Sequence, residues 1–223
     1  SYHPSLSAHH DLVTNQNDKT LSLTDKKLYE SPFISSGIGG ILHIASSYSR
    51  RFEEVSLQLP KGRSLKGINI SANRGQTTII NASLENATLN TNNGYLLRIE
   101  GSRIKNSKLT TPNIINIFDT DLTDSQLEST DKHFHAENIK VYGKVELSSK
   151  NALSIMLTQK ESQEINLDLS SHHGPIYQLS RDESQRHPNE LSNPYKTEKT
   201  DAKGQLIAKT DDYISLETTA NRP

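Results

Sequence analysis

The feature that most constrains the fold is a six-residue pattern that recurs through residues 65–134. Copies at residues 84–89, 104–109 and 122–127 each read apolar, any residue, Asn or Asp, small, polar, apolar, and residues 65–70 form a looser copy. The last apolar position therefore falls at residues 70, 89, 109 and 127, in steps of 19, 20 and 18 residues. A period of about 20 residues is typical of solenoids, in which each repeat forms one coil and stacks on its neighbours.

Each coil also contains a turn and a further apolar group. The turns are rich in Asn, Asp, Gly and Pro, which suit bends, and they fall at residues 73–75, 92–94, 112–113 and 131–132. Aliphatic residues follow at 79–80, 96–99 and 114–117, and Phe134 takes this place in the next coil. Strands this short are stable only when they pair with the coils above and below. The sequence therefore predicts an all-β solenoid with coils of about 18–22 residues, about three strands per coil and a narrow aliphatic core.

The polar position of the pattern forms a series of its own, with Asn86, Asn106 and Asp124 at steps of 20 and 18 residues. One interpretation is a row of ligands for a polysaccharide or a cation. The other is a set of side chains that shape one corner of the coil, since Asn and Asp readily bond their own turn. The small residues Ala87 and Ser107 beside them suit a crowded corner, so we favour the second interpretation.

Composition excludes several classes of function. Hydrophobic residues make up 32% of the 223 residues, which fits a thin core, and a net charge of −1 gives no general attraction for nucleic acid. With no cysteine, the chain has no disulfide, no cysteine-ligated zinc site and no thiol catalysis. No apolar run approaches the roughly 18 residues of a membrane span. Because the chain begins at Ser1 rather than at methionine, we expect a membrane anchor upstream of it.

Three regions follow from these patterns. Residues 1–30 are polar and predict a flexible leader or stalk, with one strand at residues 21–23. Residues 31–218 predict the β-solenoid domain, which includes a polar excursion at residues 180–203. This excursion is charged, contains proline and has almost no aliphatic residues, so we expect a long loop there. Residues 219–223 are a tail.

The start of the predicted domain has mixed signals. Gly37-Ile38-Gly39-Gly40 is interpreted as a bend rather than a phosphate-binding loop, because no Lys-Ser or Lys-Thr follows it. Residues 41–44 are expected to form a strand, and residues 47–54 are the one segment expected to make a helical turn. Residues 55–59 then alternate as a strand does, and Pro60 ends it.

The spacing becomes less regular after Phe134. Tyr142 and Leu147 continue the five-residue spacing of the pattern, whereas Val141 and Val145 offer an alternative that would require a bulge. Residues 165–169 alternate and predict a further coil, whose next strand contains residues 176–177. We expect strands within residues 204–218 to close the far end of the solenoid and protect its edge.

A family resemblance rests on a few local motifs. The strand at residues 55–60 ends in Leu-Pro and leads into a Lys61-Gly62 turn, a coil is marked by Thr91-Asn92-Asn93-Gly94, and a final strand pair follows a polar excursion. In these features residues 40–218 resemble the toast-rack family of predicted adhesins, which are bacterial envelope domains of unknown function. The resemblance implies a single-stranded right-handed β-helix outside the membrane, linked with adhesion or envelope-stress responses. It implies no catalytic residues, and Lys132 departs from the Gly or Asn of other coils.

Two clusters of side chains suggest sharper chemistry. Asp119 and Asp121 would face the same way on a strand, and with Asp124 they could serve as an acid/base pair or a calcium site. Against this, the segment lies at a predicted corner and has no adjacent cluster of basic residues.

His133 and His135 would likewise share one face, but zinc needs a third or fourth ligand. The nearest candidates, His172 and His173, lie about two coils further on, so we expect Phe134 inward and both histidines in solvent.

The sequence thus predicts a non-catalytic module on the extracellular face of a bacterial membrane, acting as an adhesin or as an envelope-stress binding or scaffold domain. With no Trp and 5% aromatic residues, the chain has little surface for stacking on sugars, so the expected partner is a protein or a second copy. No cofactor, metal or nucleic acid is expected, and the membrane is reached only through the upstream anchor. The alternative is a carbohydrate-active β-helix enzyme of the polysaccharide lyase or hydrolase type.

Overall fold

The computed structural model describes residues 12–15, 20–23, 40–48, 51–59, 64–66, 69–72, 75–91, 94–179 and 188–220, and most of these residues lie in strands. The elements in chain order are β1 (Leu12–Asn15), β2 (Thr20–Leu23), β3 (Gly40–Tyr48), β4 (Arg51–Leu59), β5 (Ser64–Lys66), β6 (Asn69–Ala72), β7 (Gly75–Ile80), β8 (Ser83–Glu85), β9 (Thr88–Thr91), β10 (Gly94–Glu100), β11 (Arg103–Lys105), β12 (Lys108–Thr111), β13 (Ile114–Phe118), β14 (Asp121–Thr123), β15 (Gln126–Ser129), β16 (Phe134–Glu137), β17 (Lys140–Ser149), β18 (Leu153–Thr158), α1 (Gln159–Glu164), β19 (Ile165–Ser171), β20 (Ile176–Leu179), β21 (Asn189–Leu191), β22 (Tyr195–Lys196), β23 (Gly204–Thr210) and β24 (Ile214–Thr219).

The strands stack in three sheets with parallel pairing, which the chain visits in turn. Sheet C contains β5, β8, β11, β14 and the first part of β17. Sheet A contains β2, β6, β9, β12, β15, the later part of β17, β23 and β19. Sheet B contains β7, β10, β13, β16, β18, β24 and β20. Each passage through sheets C, A and B lays a new coil beside an existing one, which confirms the all-β, coil-on-coil prediction.

The apolar positions of the repeat align from coil to coil. One column in register holds Leu65, Leu84, Ile104, Leu122 and Val141, and a second holds Ile70, Leu89, Leu109, Leu127 and Leu147. A third column, in sheet B, holds Ile79, Ile99, Ile117, Ala136, Ile155 and Leu216. From residue 79 onward all these side chains are buried, so the predicted narrow core is confirmed.

The coil after Phe134 continues the first two columns, but the spacing between its two apolar residues is altered. Val141 pairs with Leu122 and is buried, while Tyr142 is 38% exposed, so the assignment of Tyr142 to the core was wrong. Val145 is also buried, as the bulged alternative required. The extra residue lies at Lys144 and Val145, because Gly143 takes the corner place of Asp124 and Glu146 pairs with Gln126.

Two of the three corners are built from residues with positive φ. The corner from sheet B to sheet C has Asn81, Gly101, Asp119 and Asn138, and the corner from sheet C to sheet A has Asn86, Asn106, Asp124 and Gly143, with φ between 44° and 61°. Left-handed backbone costs most residues about 1–2 kcal/mol but is tolerated by Gly, Asn and Asp. Asn86, Asn106 and Asp124 therefore lie at one corner of successive coils, as the structural interpretation expected.

Hydroxyl side chains satisfy the buried backbone groups at these corners. Ser107 Oγ donates to the carbonyl of Lys105 at 2.7 Å and accepts the N–H of Ala87 at 3.0 Å, while its own N–H donates to Ser125 Oγ at 3.1 Å. Because buried backbone groups need partners, these bonds allow a sharp corner to pack inside the coil stack. The other two corners use the same chemistry, through Ser102 and Thr120 and through Thr91, Thr111, Ser129, Ser149 and Thr210.

The strands before the coils differ from the prediction in one respect. The helical turn expected at residues 47–54 is wrong, because β3 and β4 form an antiparallel hairpin that extends sheet B through β7. Within that segment Ser47 pairs with Phe52 and Tyr48 with Arg51, and this cross-strand pairing outweighs a weak local helical preference. The strands expected at residues 41–44 and 55–59 are confirmed, whereas residues 37–39 and Pro60 lie outside the described residues.

Part of the predicted leader belongs to the sheets. β2 pairs in parallel with β6 and antiparallel with β1, which confirms the strand expected at residues 21–23 and adds one at Leu12–Asn15. The remaining residues of 1–30 lie outside the described residues. The division into leader, domain and tail stays a prediction.

The last strand pair does not close the end of the stack, contrary to the prediction. β23 lies between β17 and β19 and pairs with both, and β24 lies between β18 and β20 in the same way. The outer coil is therefore the earlier segment, residues 165–179, and residues 204–219 fill the layer beneath it. Helix α1 carries the chain past that layer. Glu161 Oε1 accepts the N–H of Val141 at 2.6 Å, and this carboxylate oxygen takes the place of the carbonyl that a further strand of sheet C would offer.

The second half of the excursion at residues 180–203 is also more ordered than a loop. β21 pairs antiparallel with β20, and β22 pairs antiparallel with β19. The backbone N–H of Lys199 donates to Asn166 Oδ1 at 2.7 Å. Since an unpaired outer coil would expose two strand edges, these short strands cover the edge that β23 and β24 were expected to protect. Residues 180–187 lie outside the described residues.

Candidate binding groove

A shallow polar groove follows the corner between sheets C and A across four successive coils. Asn86, Asn106 and Asp124 are exposed there because each occupies the outward bend of its corner. The groove is lined by Asn86, Ala87, Thr88, Asn106, Ser107, Lys108, Asp124, Gln126, Lys144 and Glu146. We call this surface the corner groove.

One wall of the corner groove is a column of outward side chains from sheet A. Thr88, Lys108, Gln126 and Glu146 are direct neighbours in the register of β9, β12, β15 and β17. Successive residues of a strand point to opposite faces, so the burial of the following leucines turns this column outward. Parallel strands lie about 4.8 Å apart, and an extended ligand along the groove would therefore meet an equivalent position at every coil.

The charges in the corner groove are mixed. Lys144 Nζ lies 2.6 Å from Glu146 Oε1, and Gln126 Nε2 donates to Glu146 Oε2 at 3.3 Å. The Asp124 carboxylate accepts the backbone N–H of Lys144 at 2.9 Å. The Lys144 and Glu146 side chains are 60% and 32% exposed, so solvent screens their ion pair. The groove thus offers donors and acceptors of both signs within a few ångströms.

The three aspartates of the predicted acid/base or calcium cluster occupy different environments. Asp119 has a φ of 48° and accepts a hydrogen bond from Asn138 Nδ2, whereas β14 begins at Asp121. Asp119 therefore takes the corner conformation that was weighed against the acid/base and calcium alternatives, and it does not share a strand with Asp121. Asp121 lies between Arg103 at 3.4 Å and Lys140 at 3.9 Å.

The histidines are placed as the structural interpretation expected. Phe134 is buried, while His133 is exposed and His135 is half-buried. The His135 ring centroid lies 5.6 Å from that of Phe118, whereas His172 and His173 contact each other in the turn between β19 and β20. In the described parts of the chain, no three His, Cys, Asp or Glu side chains are arranged to hold a metal ion.

A partly buried ion-pair cluster lies where α1 covers the edge of sheet C. Lys203 Nζ donates to Glu161 Oε2 at 2.7 Å and to Glu164 Oε2 at 2.9 Å, and it lies 4.9 Å from the centre of the Tyr142 ring. Burial opposes the charge of Lys203, but these two hydrogen bonds outweigh burial and raise its pKa. The hydrogen bond from Lys203 lowers the pKa of Glu164. Because Glu161 is only 4% exposed, this cluster is a structural lock rather than a surface site.

Sequence reasoning missed most of the corner groove. Asn86, Asn106 and Asp124 were singled out, but the column beside them was not. The sequence did contain a signal for this column, since Lys108, Gln126 and Glu146 follow one another at steps of 18 and 20 residues, in phase with the repeat. The lock between Glu161 and Lys203 had no such signal, because its members are 42 residues apart and belong to no repeat.

Comparison with known proteins agrees with the fold. No helix among the described residues is long and apolar enough to cross a membrane. The family model described as Toastrack DUF4097 matches residues 1–217, which includes β1 and β2 as well as the coils. No curated protein and no solved structure matches the chain.

Proposed function

We propose, from the premise that this chain belongs to the Toastrack family of bacterial domains of unknown function, that it is a non-catalytic binding or scaffold module of the cell envelope. The observation that carries the proposal is the corner groove, where a polar side chain occupies the equivalent position in four successive coils along one exposed edge. A regular row of this kind suits an extended partner lying parallel to the coil stack. We assign the module an adhesive or envelope-stress role on the extracellular face of the membrane, and we propose a right-handed winding of its coils.

The chemistry of the groove favours a protein partner over a carbohydrate. Lys108 and Lys144 alternate with Asp124 and Glu146, so the surface complements a chain that carries both charges. Charged and polar rims of this type give specificity and steer association more than they give affinity. The chain has no Trp and the groove lining contains no aromatic residue, which removes the usual stacking surface for sugars.

The state of the carboxylates supports a non-catalytic role. A retaining or inverting glycosidase needs two carboxyl groups facing a common substrate space. Asp119 is engaged by Asn138, Asp121 by Arg103 and Lys140, and each of these bonds serves a corner or a sheet. Their arrangement is explained by the fold, and no acid/base pair is required to account for it.

Binding of the labelled chain to intact bacteria of its source would test this function. The variant Lys108→Glu/Lys144→Glu reverses two charges of the corner groove. The matched control, Arg103→Glu/Lys140→Glu, makes the same charge change on the outer face of sheet C. We expect saturable binding that falls about tenfold in the groove variant, which is the loss of about 1.4 kcal/mol, and that changes far less in the control.

Three outcomes would contradict the proposal. Equal losses in the two charge-reversed variants would show that general charge, not the groove, governs binding. Binding that survives protease treatment of the cells would argue against a protein partner. Cleavage of an envelope polysaccharide that disappears in Asp119→Ala would favour the enzyme alternative.

A further inference from the structure

The last strand pair of the fold, residues 204–219, occupies a layer between two coils that precede it in the chain. We call these residues the inserted strand pair. β23 is in register with seven residues of β17 on one side and seven residues of β19 on the other. β24 pairs with six residues of β18 and four residues of β20. Removing the pair would therefore open a slot bounded by four strand edges, two in sheet A and two in sheet B.

We propose that the inserted strand pair is exchanged between two copies of this chain, so that each copy fills the slot of the other. The exchange would use the same backbone pairing in both states, which is why swapping an identical element is a low-cost route to a dimer. This inference goes beyond the corner groove and does not depend on what the groove binds.

The slot selects its occupant by side-chain pattern. Leu206, Ala208, Ile214 and Leu216 point into the core and are at most 4% exposed. Thr210, next in this alternation, joins the buried hydroxyl series through Ser149 Oγ at 3.3 Å. An occupant therefore needs two apolar residues, a hydroxyl and two further apolar residues at fixed spacing.

The slot also requires a glycine at its entrance. A Cβ atom at position 204 would lie 2.8 Å from the carbonyl oxygen of Val141 and 3.1 Å from that of Gly143. Both contacts are with backbone, which cannot move aside as a flexible side chain can. A strand that meets this requirement together with the apolar pattern is present in every other copy of the chain, so we assign the partner as a second copy.

The connection to the inserted strand pair allows it to leave as a unit. β22 is held by β19 of the outer coil, and Lys199 is held by the carbonyls of Ser162 in α1 and Ile165 in β19. Between Lys199 and β23 the described contacts to the rest of the fold centre on Lys203, which binds Glu161 and Glu164. Residues 200–202, between the two held positions Lys199 and Lys203, are therefore the hinge at which an exchanged pair would turn toward its partner.

The absence of cysteine from the chain makes the exchange directly measurable. Ser148 and Lys209 are register neighbours across β17 and β23 on the outer face of sheet A. Neighbouring strands lie about 4.8 Å apart, within the range of about 4.4–6.8 Å between the Cα atoms of a disulfide. Chains carrying Ser148→Cys alone and Lys209→Cys alone would be mixed, held briefly in urea, returned to buffer and oxidised.

Exchange predicts a covalent dimer between the two single-cysteine chains. The matched control is a mixture of Lys108→Cys and Gln126→Cys, which are neighbours across β12 and β15 on the same face but lie outside the inserted strand pair. We expect the first mixture to give mostly covalent dimer and the control mixture to stay mostly monomeric. A second pair, Ser154→Cys with Ser215→Cys across β18 and β24, should behave like the first.

A chain carrying both Ser148→Cys and Lys209→Cys completes the test. Oxidised at low concentration, it should form the disulfide within one copy, and this closed form should then give no dimer after the urea step. Equal dimer from the exchange and control mixtures, or dimer formation by the closed chain, would overturn the proposal. Failure of the internal disulfide to form would contradict the register on which it rests.

Discussion

Replacement of Glu161 tests whether one buried carboxylate holds the edge of sheet C. Glu161 Oε1 accepts the N–H of Val141 at 2.6 Å, and Oε2 accepts Lys203 Nζ at 2.7 Å. The Glu161 side chain is 5% exposed and that of Lys203 is 25% exposed, so solvent screens this pair only in part. Helix α1 presents Glu161 with its own N–H bonded to Thr158 Oγ1, which fixes the first turn.

The expected loss has two parts. Glu161→Ala leaves the buried N–H of Val141 without an acceptor, which costs about 1–3 kcal/mol. Breaking a buried ion pair costs about 3–5 kcal/mol when the remaining charge is isolated. Here Lys203 keeps its bond to Glu164, so we expect the loss of the Glu161 charge to cost about 1 kcal/mol. The sum is about 3 kcal/mol, or a fall in Tm of about 6–12 °C for a chain of this size.

Urea unfolding followed by far-UV circular dichroism measures this loss, since the chain has no Trp for fluorescence. Glu161→Gln keeps an oxygen that can accept from Val141 and loses only the charge, so its cost should be about 1 kcal/mol. Glu164→Ala, at an exposed position, is the control and should cost least. The reasoning is refuted if Glu161→Ala is no less stable than Glu164→Ala, or if the Gln and Ala variants are equally unstable.

The lock and the corners give two further predictions. The pKa of Lys203 is raised, so its stabilising contribution is fully present below pH 10.5 and is lost as the pH rises through its folded-state pKa. The pKa of Glu164 is lowered, so its contribution is present above pH 4.5 and is lost as the pH falls through its folded-state pKa. The difference in urea midpoint between the wild type and Lys203→Met should therefore shrink toward both extremes, and a constant difference would contradict the assignment. Gly143→Ala should cost about 1–2 kcal/mol for its left-handed backbone, and more because its Cβ would lie 2.1 Å from Asp124 Oδ1. In an Asp124→Ala background the same Gly143→Ala change should lose that additional part, and an undiminished cost there would contradict the proposed clash.

The repeating part of the fold was predictable because each coil solves the same physical problem. Leu84, Ile104 and Leu122 recur in phase, and a solenoid buries such a series in one column whatever its exact winding. Corner positions were predictable as well, since a left-handed residue between two short strands selects for Asn, Asp or Gly. Sequence alone did not distinguish Val141 from Tyr142, because both alternatives keep an apolar residue near the expected place.

Features outside the repeat were less predictable. The hairpin of β3 and β4 pairs residues 46–48 with residues 51–53, so a local preference for a helical turn at residues 47–54 was misleading. The outer column of the corner groove is made of different residue types at each coil, and only its phase, not its chemistry, repeats. Lys108 and Glu146 become neighbours of one groove once the register of β12, β15 and β17 is known.

The order of the last two layers shows why periodicity could not give the complete topology. β19 and β23 have the same alternation of inward apolar residues, so either strand could lie beside β17 by that criterion alone. Their register places Ile165 opposite Gly204, and Gly204 opposite Gly143. If β19 took the layer next to β17, Ile165 would occupy the position of Gly204, and its Cβ would meet the carbonyl oxygen of Val141 at 2.8 Å. The single glycine therefore favours the order in which the later strand lies inside the earlier one, and this preference comes from a contact between coils rather than from any property of the strand itself.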